Sequence, residues 1–223
     1  MSVALILPAA GRGERAGVDK LWVAVGGRPL IAHGLRRVAA VPSIGSVVVV
    51  CPDDRHPEVR RIADELGIVG LRCIAGGPRR RDSVAAGLAL VGDSELVVVH
   101  DAARPLASPR LFRSVIEAAR LHGAATAAVP CVDTIKRVEA GMVVETLPRS
   151  GLVAVQTPQA FATALLRRAH QLDADEDVSD DCVLVERLGE PVAVVAGEPA
   201  NLKVTRLEDF AWFQDQLRRM GEL

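Results

Sequence analysis

The stretch LILPAAGRGERAGVDKLW, residues 5–22, begins as an apolar run and then breaks into glycines, two arginines, a glutamate and a lysine. An apolar segment of strand length that gives way to small residues and charge marks a chain leaving a parallel sheet for a ligand loop. Gly11, Gly13 and Ala16 have the G-x-G-x-x-G/A spacing of a dinucleotide-binding turn. Such a turn faces a pyrophosphate diester and needs an acid at the end of the second strand, about twenty residues on. The acids after the second apolar run, Asp53 and Asp54, stand roughly twice that far away, and no Gly-Lys-Ser/Thr follows at P-loop spacing. Two cations, Arg15 and Lys20, instead flank glycines that let backbone N–H groups approach phosphate. A triphosphate cradle fits this better than a dinucleotide turn; the plain alternative is a solvated charged turn.

Outward from this loop the chain alternates. The segments 3–7 (VALIL), 47–51 (VVVVC), 95–100 (ELVVVH), 124–129 (AATAAV) and 192–196 (VAVVA) are continuously apolar or nearly so, as strands covered on both faces are. Between them, residues 29–40, 58–66, 81–91 and 109–121 carry apolar residues at helical spacing. The pattern predicts an α/β fold, a Rossmann-like, mostly parallel twisted sheet flanked by helices, in one domain over 1–223. Residues 131–146 break the rhythm with two roughly alternating stretches around Glu139-Ala140-Gly141, which predicts a β-hairpin. A hairpin projecting from such a core must cover its apolar side, either on its own domain or on a second subunit, and the second subunit is the simpler solution. At the other end, Thr205 and Glu208 suggest a capping box before a helix with Leu207, Phe210, Ala211 and Leu217 on one side.

Composition narrows the function. The chain of 223 residues has a formal net charge of −1, 49% apolar and 25% charged residues, and no tyrosine. Neither a basic nucleic-acid surface nor an aromatic stacking platform is implied. Four dispersed cysteines and five dispersed histidines form no C-x-x-C or H-E-x-x-H pattern, so reduced thiols are expected rather than a zinc site. The apolar run at 3–7 is too short for a signal peptide, and no run reaches membrane-spanning length, so a cytoplasmic protein is expected.

Ligands of open parallel sheets bind beyond the carboxyl ends of the strands. After the first strand come Pro8, Ala9, Ala10, Gly11 and Gly13. After the third come Gly76 and Gly77, the triplet Arg79–Arg81, and then Asp82 and Ser83, which read as a helix N-cap. Whether those arginines meet nucleotide or solvent is left open by the sequence. Asp101, directly after a buried strand, is the best acidic candidate, able to meet a sugar hydroxyl or a shared Mg²⁺; capping of Ala102-Ala103 is its structural alternative. Arg104 follows on the same side. Thr134 and Lys136 lie in the hairpin, with Arg149 just after it and the segment VQTPQAF at 155–161. Ser179, Asp180 and Asp181 read as a helix cap with acids on the dipole, and Lys203 as a lone cation in an apolar strand.

The order PAAG-x-G-x-R…K, GG…R-x-S-V, HDAARP, D-T-I-K, TPQ-x-F, SDD and N-x-KVTR, from Leu5 to Asp209, resembles the 2-C-methyl-D-erythritol 4-phosphate cytidylyltransferase family of nucleotidyltransferases. The resemblance implies transfer of CMP from CTP to a polyol phosphate with release of pyrophosphate, in non-mevalonate isoprenoid precursor synthesis. It implies Mg²⁺ or another divalent cation held mainly by the CTP phosphates. Position by position, Arg15, Lys20 and Lys203 match catalytic cations. Pro8, Ala9, Ala10, Gly11, Gly13, Gly76, Ser83 and Asp101 match CTP-binding positions, while Asp101, Arg104, Thr134, Arg149, Ser179 and Lys203 match polyol-phosphate positions. The family's arm matches 131–146 and implies a homodimer whose sites borrow Thr134 and Arg149 from the partner subunit. No nucleic acid or membrane is implied as a partner. Two departures stand out: the loop between Arg15 and Lys20 is only AGVD, and Ser179 occupies a position where threonine is common. A ribitol 5-phosphate cytidylyltransferase shares the CTP loop and is the alternative; an NAD-dependent oxidoreductase and a nucleotide-sensing module are more distant ones.

Overall fold

The computed structural model describes residues 2–10, 19–172 and 178–223. In chain order the elements are β1 (Val3–Pro8), β2 (Ala24–Val25), β3 (Arg28–Pro29), α1 (Leu30–Ala39), β4 (Ile44–Val50), α2 (His56–Glu65), β5 (Arg72–Ile74) and α3 (Arg80–Leu88). They continue with β6 (Leu96–Val99), α4 (Pro109–His122), β7 (Ala124–Pro130), β8 (Ile135–Glu139), β9 (Met142–Leu147) and β10 (Val153–Ala162). The chain closes with α5 (Thr163–His170), α6 (Cys182–Arg187), β11 (Ala193–Ala196) and α7 (Glu208–Arg219).

Among the described residues one sheet has seven strands in the order β11-β7-β10-β6-β1-β4-β5. All neighbours run parallel except at β10, which is antiparallel to both β6 and β7. β1 explains the continuous apolar runs. Leu5 sits opposite Val47 on one side and Val98 on the other, and residues 3 to 7 are all fully buried. Alternate side chains serve opposite faces. Val3, Leu5 and Leu7 join the core under α1, α4 and α7, whereas Ala4 and Ile6 join the core under α3, α5 and α6. A strand flanked by two cores has no solvent face on which to place polar residues.

The connection after β1 runs to β4 on one side, and the one after β6 runs past β10 to β7 on the other. The reversal opens a crevice at the carboxyl ends of β1 and β6, the usual ligand position in open α/β sheets.

Several sequence expectations are corrected. Residues 155–161 read as a site motif, yet they belong to a ten-residue strand in the middle of the sheet. Threonine, proline and glutamine obscure it, and the proline is accommodated at a register irregularity between Gln156 and Gln159. The run at 192–196 is a strand but an edge one, with Val194 exposed. Asn201–Thr205, read as strand, has no regular structure. The helix α7 is not capped by a Thr205–Glu208 box: the backbone N–H groups of Thr205 and Arg206 donate to Asp209 (2.6 and 2.8 Å). Its buried face is Phe213 and Leu217, while Leu207 and Ala211 are exposed.

The hairpin forms as expected. Ala140 and Gly141 both take positive φ (46° and 81°), the backbone that a two-residue hairpin turn requires. β8 and β9 pair only with each other, and Val138, Met142, Val143 and Val144 are exposed. The arm therefore does not fold back on its own domain.

Candidate active site

The crevice at the ends of β1, β5 and β6 gathers the chemistry. After β1, the amide of Ala9 donates to Val50 O (2.7 Å) and Pro8 O accepts from Ala102 N–H (3.4 Å), so the first loop is tied to β4 and to the loop after β6. Gly76 closes against them. A Cβ at this position would lie 2.3 Å from Ala10 Cβ and 2.7 Å from Ser83 Oγ, so only glycine lets the two loops meet. Ser83 is buried one turn inside α3 and its hydroxyl lies 3.3 Å from Arg79 O. The predicted Asp82–Ser83 cap is thus displaced: α3 begins at Arg80, and Asp82 caps from within by accepting the Arg79 backbone N–H (3.1 Å). Gly11, Gly13 and Arg15 lie outside the described residues. Lys20 opens a short 3-10 turn that ends at Trp22. The turn is held by Arg55, whose guanidinium stacks 4.6 Å from the Trp22 ring centroid and pairs with Asp19 at 3.9 Å.

Asp101 follows β6 and is the centre of charge in the crevice. Its Oδ2 accepts from Lys203 Nζ at 2.7 Å and its Oδ1 from Arg80 Nε at 3.1 Å. Burial pushes the Asp101 carboxyl up, but the neighbouring charges of Arg80 and Lys203 outweigh it and hold the group well below the usual carboxylate range. Asp101 is thus an ionised anchor and not an isolated cap.

Arg80 was invisible to sequence reasoning within the run Arg79-Arg80-Arg81. Its other end donates to Asp181 Oδ2 at 2.7 Å. Asp181 is fully buried and also accepts from His170 Nε2 at 2.9 Å. Burial opposes charge on Asp181, but hydrogen bonds from His170 and Arg80 keep its carboxyl below the ordinary value. The reading of both acids as helix-dipole partners is therefore corrected. Asp180 does cap, accepting from Val183 N–H (3.2 Å), and it also accepts from Gln159 Nε2 (2.8 Å). Asp181 turns inward to Arg80 instead. Of the arginine triplet, Arg79 pairs with Asp82 (2.9 Å) and Arg81 donates to Leu172 O (3.1 Å). Spacing alone does not distinguish three adjacent arginines; a buried acid 101 residues away selects one.

A cleft of about 170 Å³ is lined by Arg80, Asp101, Arg104, Val155, Gln156, Thr157, Gln159, Ser179, Asp180 and Lys203. Its lining presents three cations, Arg80, Arg104 and Lys203, to an anionic ligand, with Asp101 and Asp180 in the lining and Asp181 behind Arg80 as counter-charges. Arg104 is held by a bond from Nη1 to Asn201 O (2.7 Å), and the buried Asn201 side chain donates to Gln156 Oε1 (3.2 Å) and Thr157 O (2.8 Å). This binding of the 201–205 segment to β10 brings Lys203 to Asp101 without a strand. The structure thus gathers Asp101, Arg104, Ser179 and Lys203 in one cleft. Thr134 and Arg149 are not brought there. Both are exposed on or beside the arm, where Arg149 Nη1 donates to Val132 O.

The same architecture recurs in solved structures. A crystal structure of 4-diphosphocytidyl-2C-methyl-D-erythritol synthase from Anaerococcus prevotii superposes with a TM-score of 0.88 at 32% identity, covering 98% of this chain and 99% of that one. One of 2-C-methyl-D-erythritol 4-phosphate cytidylyltransferase from Thermus thermophilus gives 0.79 at 37% identity, covering 98% of this chain and all of that one. In sequence, the cytidylyltransferase of that name from Halalkalibacterium halodurans is 42% identical over 214 residues, 94% of each chain. A bifunctional IspD/IspF enzyme from Anaeromyxobacter dehalogenans is 46% identical over 212 residues, 92% of this chain but 54% of its own length. The chain thus spans about half of that two-activity relative and nearly all of the single-activity one. The IspD profile, 2-C-methyl-D-erythritol 4-phosphate cytidylyltransferase, matches residues 3–219. Sheet order, cationic cleft and a match along nearly the whole chain converge: the chain belongs to the 2-C-methyl-D-erythritol 4-phosphate cytidylyltransferase family.

Proposed function

We propose that this protein transfers CMP from CTP to 2-C-methyl-D-erythritol 4-phosphate, releasing pyrophosphate and giving CDP-methylerythritol for isoprenoid precursor synthesis. The observation that carries the reading is Asp101 held between Arg80 and Lys203 in a cationic cleft beside the Gly76–Ala10 contact, in a chain of this family. An oxygen of the polyol phosphate attacks the α-phosphorus of CTP in line. The bond from that phosphorus to the β-phosphate oxygen breaks, and its electron pair leaves on pyrophosphate. A phosphate monoester has a second pKa of about 6, so at neutral pH its dianion attacks without a general base. The work left to the protein is positioning and charge stabilisation. In this reading the role of Arg15 and Lys20 is to stabilise charge on the transferring phosphate, that of the glycine loops and Ser83 is to bind CTP, and that of Asp101, Arg104, Ser179 and Lys203 is to bind the polyol phosphate.

Magnesium would neutralise the CTP phosphates. No group of three or more His, Cys, Asp or Glu among the described residues is arranged to hold a metal ion, and Asp101 is engaged by two cations. These residues fit an ion held chiefly by the nucleotide. The exposed valines and Met142 on the 135–147 arm support a homodimer in which each arm brings Thr134 and Arg149 to the partner's cleft. A cytoplasmic location accords with this biosynthetic role, and no described helix is long and apolar enough to cross a membrane.

The test is pyrophosphate release with CTP, ATP, GTP or UTP against methylerythritol phosphate and ribitol 5-phosphate. Turnover with CTP and methylerythritol phosphate is expected. Comparable turnover with ribitol 5-phosphate, or none with CTP, overturns the reading.

A further inference from the structure

The turn that carries Lys20 has an acid built into it. The Asp19 carbonyl accepts from Trp22 N–H at 3.0 Å and the Lys20 carbonyl from Val23 N–H at 3.3 Å, so both residues belong to one 3-10 turn. Leu21 is buried beneath it, and the Leu30 N–H at the start of α1 donates to Val23 O (3.1 Å), which fixes the turn against the core. A carboxylate held one residue from Lys20 is unfavourable beside a triphosphate. Asp54 adds a like charge near it.

The cation that pairs with Asp19 comes from another loop. Arg55 ends the short 3-10 turn Asp53–Arg55 after β4, the strand whose Val50 carbonyl accepts from Ala9 N–H, so it leaves the sheet beside the first loop. His56 Nε2 lies 3.2 Å from Cys51 O and holds this turn to the strand end. The Arg55 guanidinium centre lies 4.6 Å from the Trp22 ring centroid, Nη2 lies 3.9 Å from Asp19 Oδ2, and Nη1 donates to Glu58 Oε2 at 3.2 Å. Trp22 Nε1 is buried with no hydrogen-bond partner among the described residues. A buried indole usually pairs its N–H, so this ring is placed for its face, as the platform on which Arg55 lies. Burial pushes the Asp19 carboxyl up, and the charge of Arg55 opposes that shift.

We propose that Arg55 is a positioning residue of the nucleotide side: stacked on Trp22, it neutralises Asp19, so that this carboxylate neither repels the triphosphate nor competes with it for Lys20. Arg55 itself touches no reacting atom. Asp19 cannot swing away with the backbone when Arg55 is lost, because its carbonyl is part of the turn. The proposal rests on the reading of Lys20 as a cation at the transferring phosphate.

A mutant cycle tests it, read by calorimetric titration of CTP with Mg²⁺ and by pyrophosphate release. Arg55→Ala should raise the Kd for CTP about tenfold and lower kcat/KM for CTP by a similar factor, with KM for methylerythritol phosphate within about threefold. Asp19→Asn alone should leave CTP affinity within about threefold. Arg55→Ala combined with Asp19→Asn should return it to within about threefold of the unmodified protein. If Arg55→Ala does not fold, Arg55→Met, which keeps an apolar stem on Trp22 and removes the charge, carries the same expectations. No CTP deficit, a deficit that Asp19→Asn does not repair, or equal rises in both KM values overturns the proposal. An unmodified protein that binds CTP but releases no pyrophosphate overturns the functional reading, while the calorimetric cycle still decides the role of Arg55. One that binds no CTP overturns both.

Discussion

Arg80 Nη1 lies 2.7 Å from Asp181 Oδ2, a carboxylate with no solvent exposure, and Arg80 Nε reaches Asp101 at 3.1 Å. One guanidinium thus joins the acid in the cleft to an acid buried behind it. A buried pair is strongly destabilising to break, because the surviving charge keeps its desolvation cost. Asp181→Asn should lower the unfolding free energy by about 3 kcal/mol in urea titrations. A change within experimental scatter would show that Arg80 relaxes to solvent.

Stability should fall as the pH drops from about 6.5 to about 4. His100 has its folded pKa lowered to about 4 from 6.5, chiefly by burial, so over that interval the unfolded chain takes up a proton that the folded one refuses. The contribution is fully present above 6.5, is lost as pH falls, and amounts to about 3 kcal/mol. His33, also buried and lowered, acts in the same direction. Below about pH 4 the ionised Asp101 and Asp181 take over, since their depressed values favour the folded state only above the unfolded pKa. Urea midpoints against pH check this, and His100→Gln should flatten the first interval.

Lys20→Ala should reduce kcat by about 10²–10³-fold, the usual effect of losing one preorganised charge at a transferring group. Pyrophosphate release under saturating substrates measures it. A loss below about tenfold would remove Lys20 from the transferring phosphate.

Gly76→Ala should raise the KM for CTP by about tenfold while the fold survives. The added methyl meets Ala10 Cβ at 2.3 Å and Ser83 Oγ at 2.7 Å, and overpacking of this kind costs about 1–3 kcal/mol. The two loops must part, which moves Ala10 more than it moves the sheet. Circular dichroism alongside CTP titration separates the outcomes.

Arg149→Ala alone and Lys20→Ala alone should each be nearly inactive, and mixing them should restore about a quarter of the normal rate. In a dimer that shares Arg149 across subunits, half of the mixed population is heterodimeric and one of its two sites is intact. No recovery on mixing and re-equilibration would place Arg149 in the cleft of its own chain.

The apolar runs at 3–7 and 47–51 were legible because burial on both faces leaves a strand no polar register. The hairpin was legible because Ala140-Gly141 must bear positive φ between alternating stretches. Asp101 was legible from its position after a buried strand. β10 was not, because Gln156, Thr157 and Gln159 are polar residues whose partners come from other elements: Asn201, His100 and Asp180.

The sequence by itself determined the alternating architecture and the family, since both rest on local patterns of burial, backbone freedom and charge. Only the tertiary structure decided which cation of Arg79-Arg80-Arg81 enters the cleft, that Asp181 turns inward while Asp180 caps, and that Thr134 and Arg149 stay away from their own chain's site. The physical reason is range. A strand or a turn is set by neighbours within a few residues, but an ion pair in low dielectric is set by whichever opposite charge the fold delivers. For Arg80 those are Asp101 and Asp181, 21 and 101 residues away.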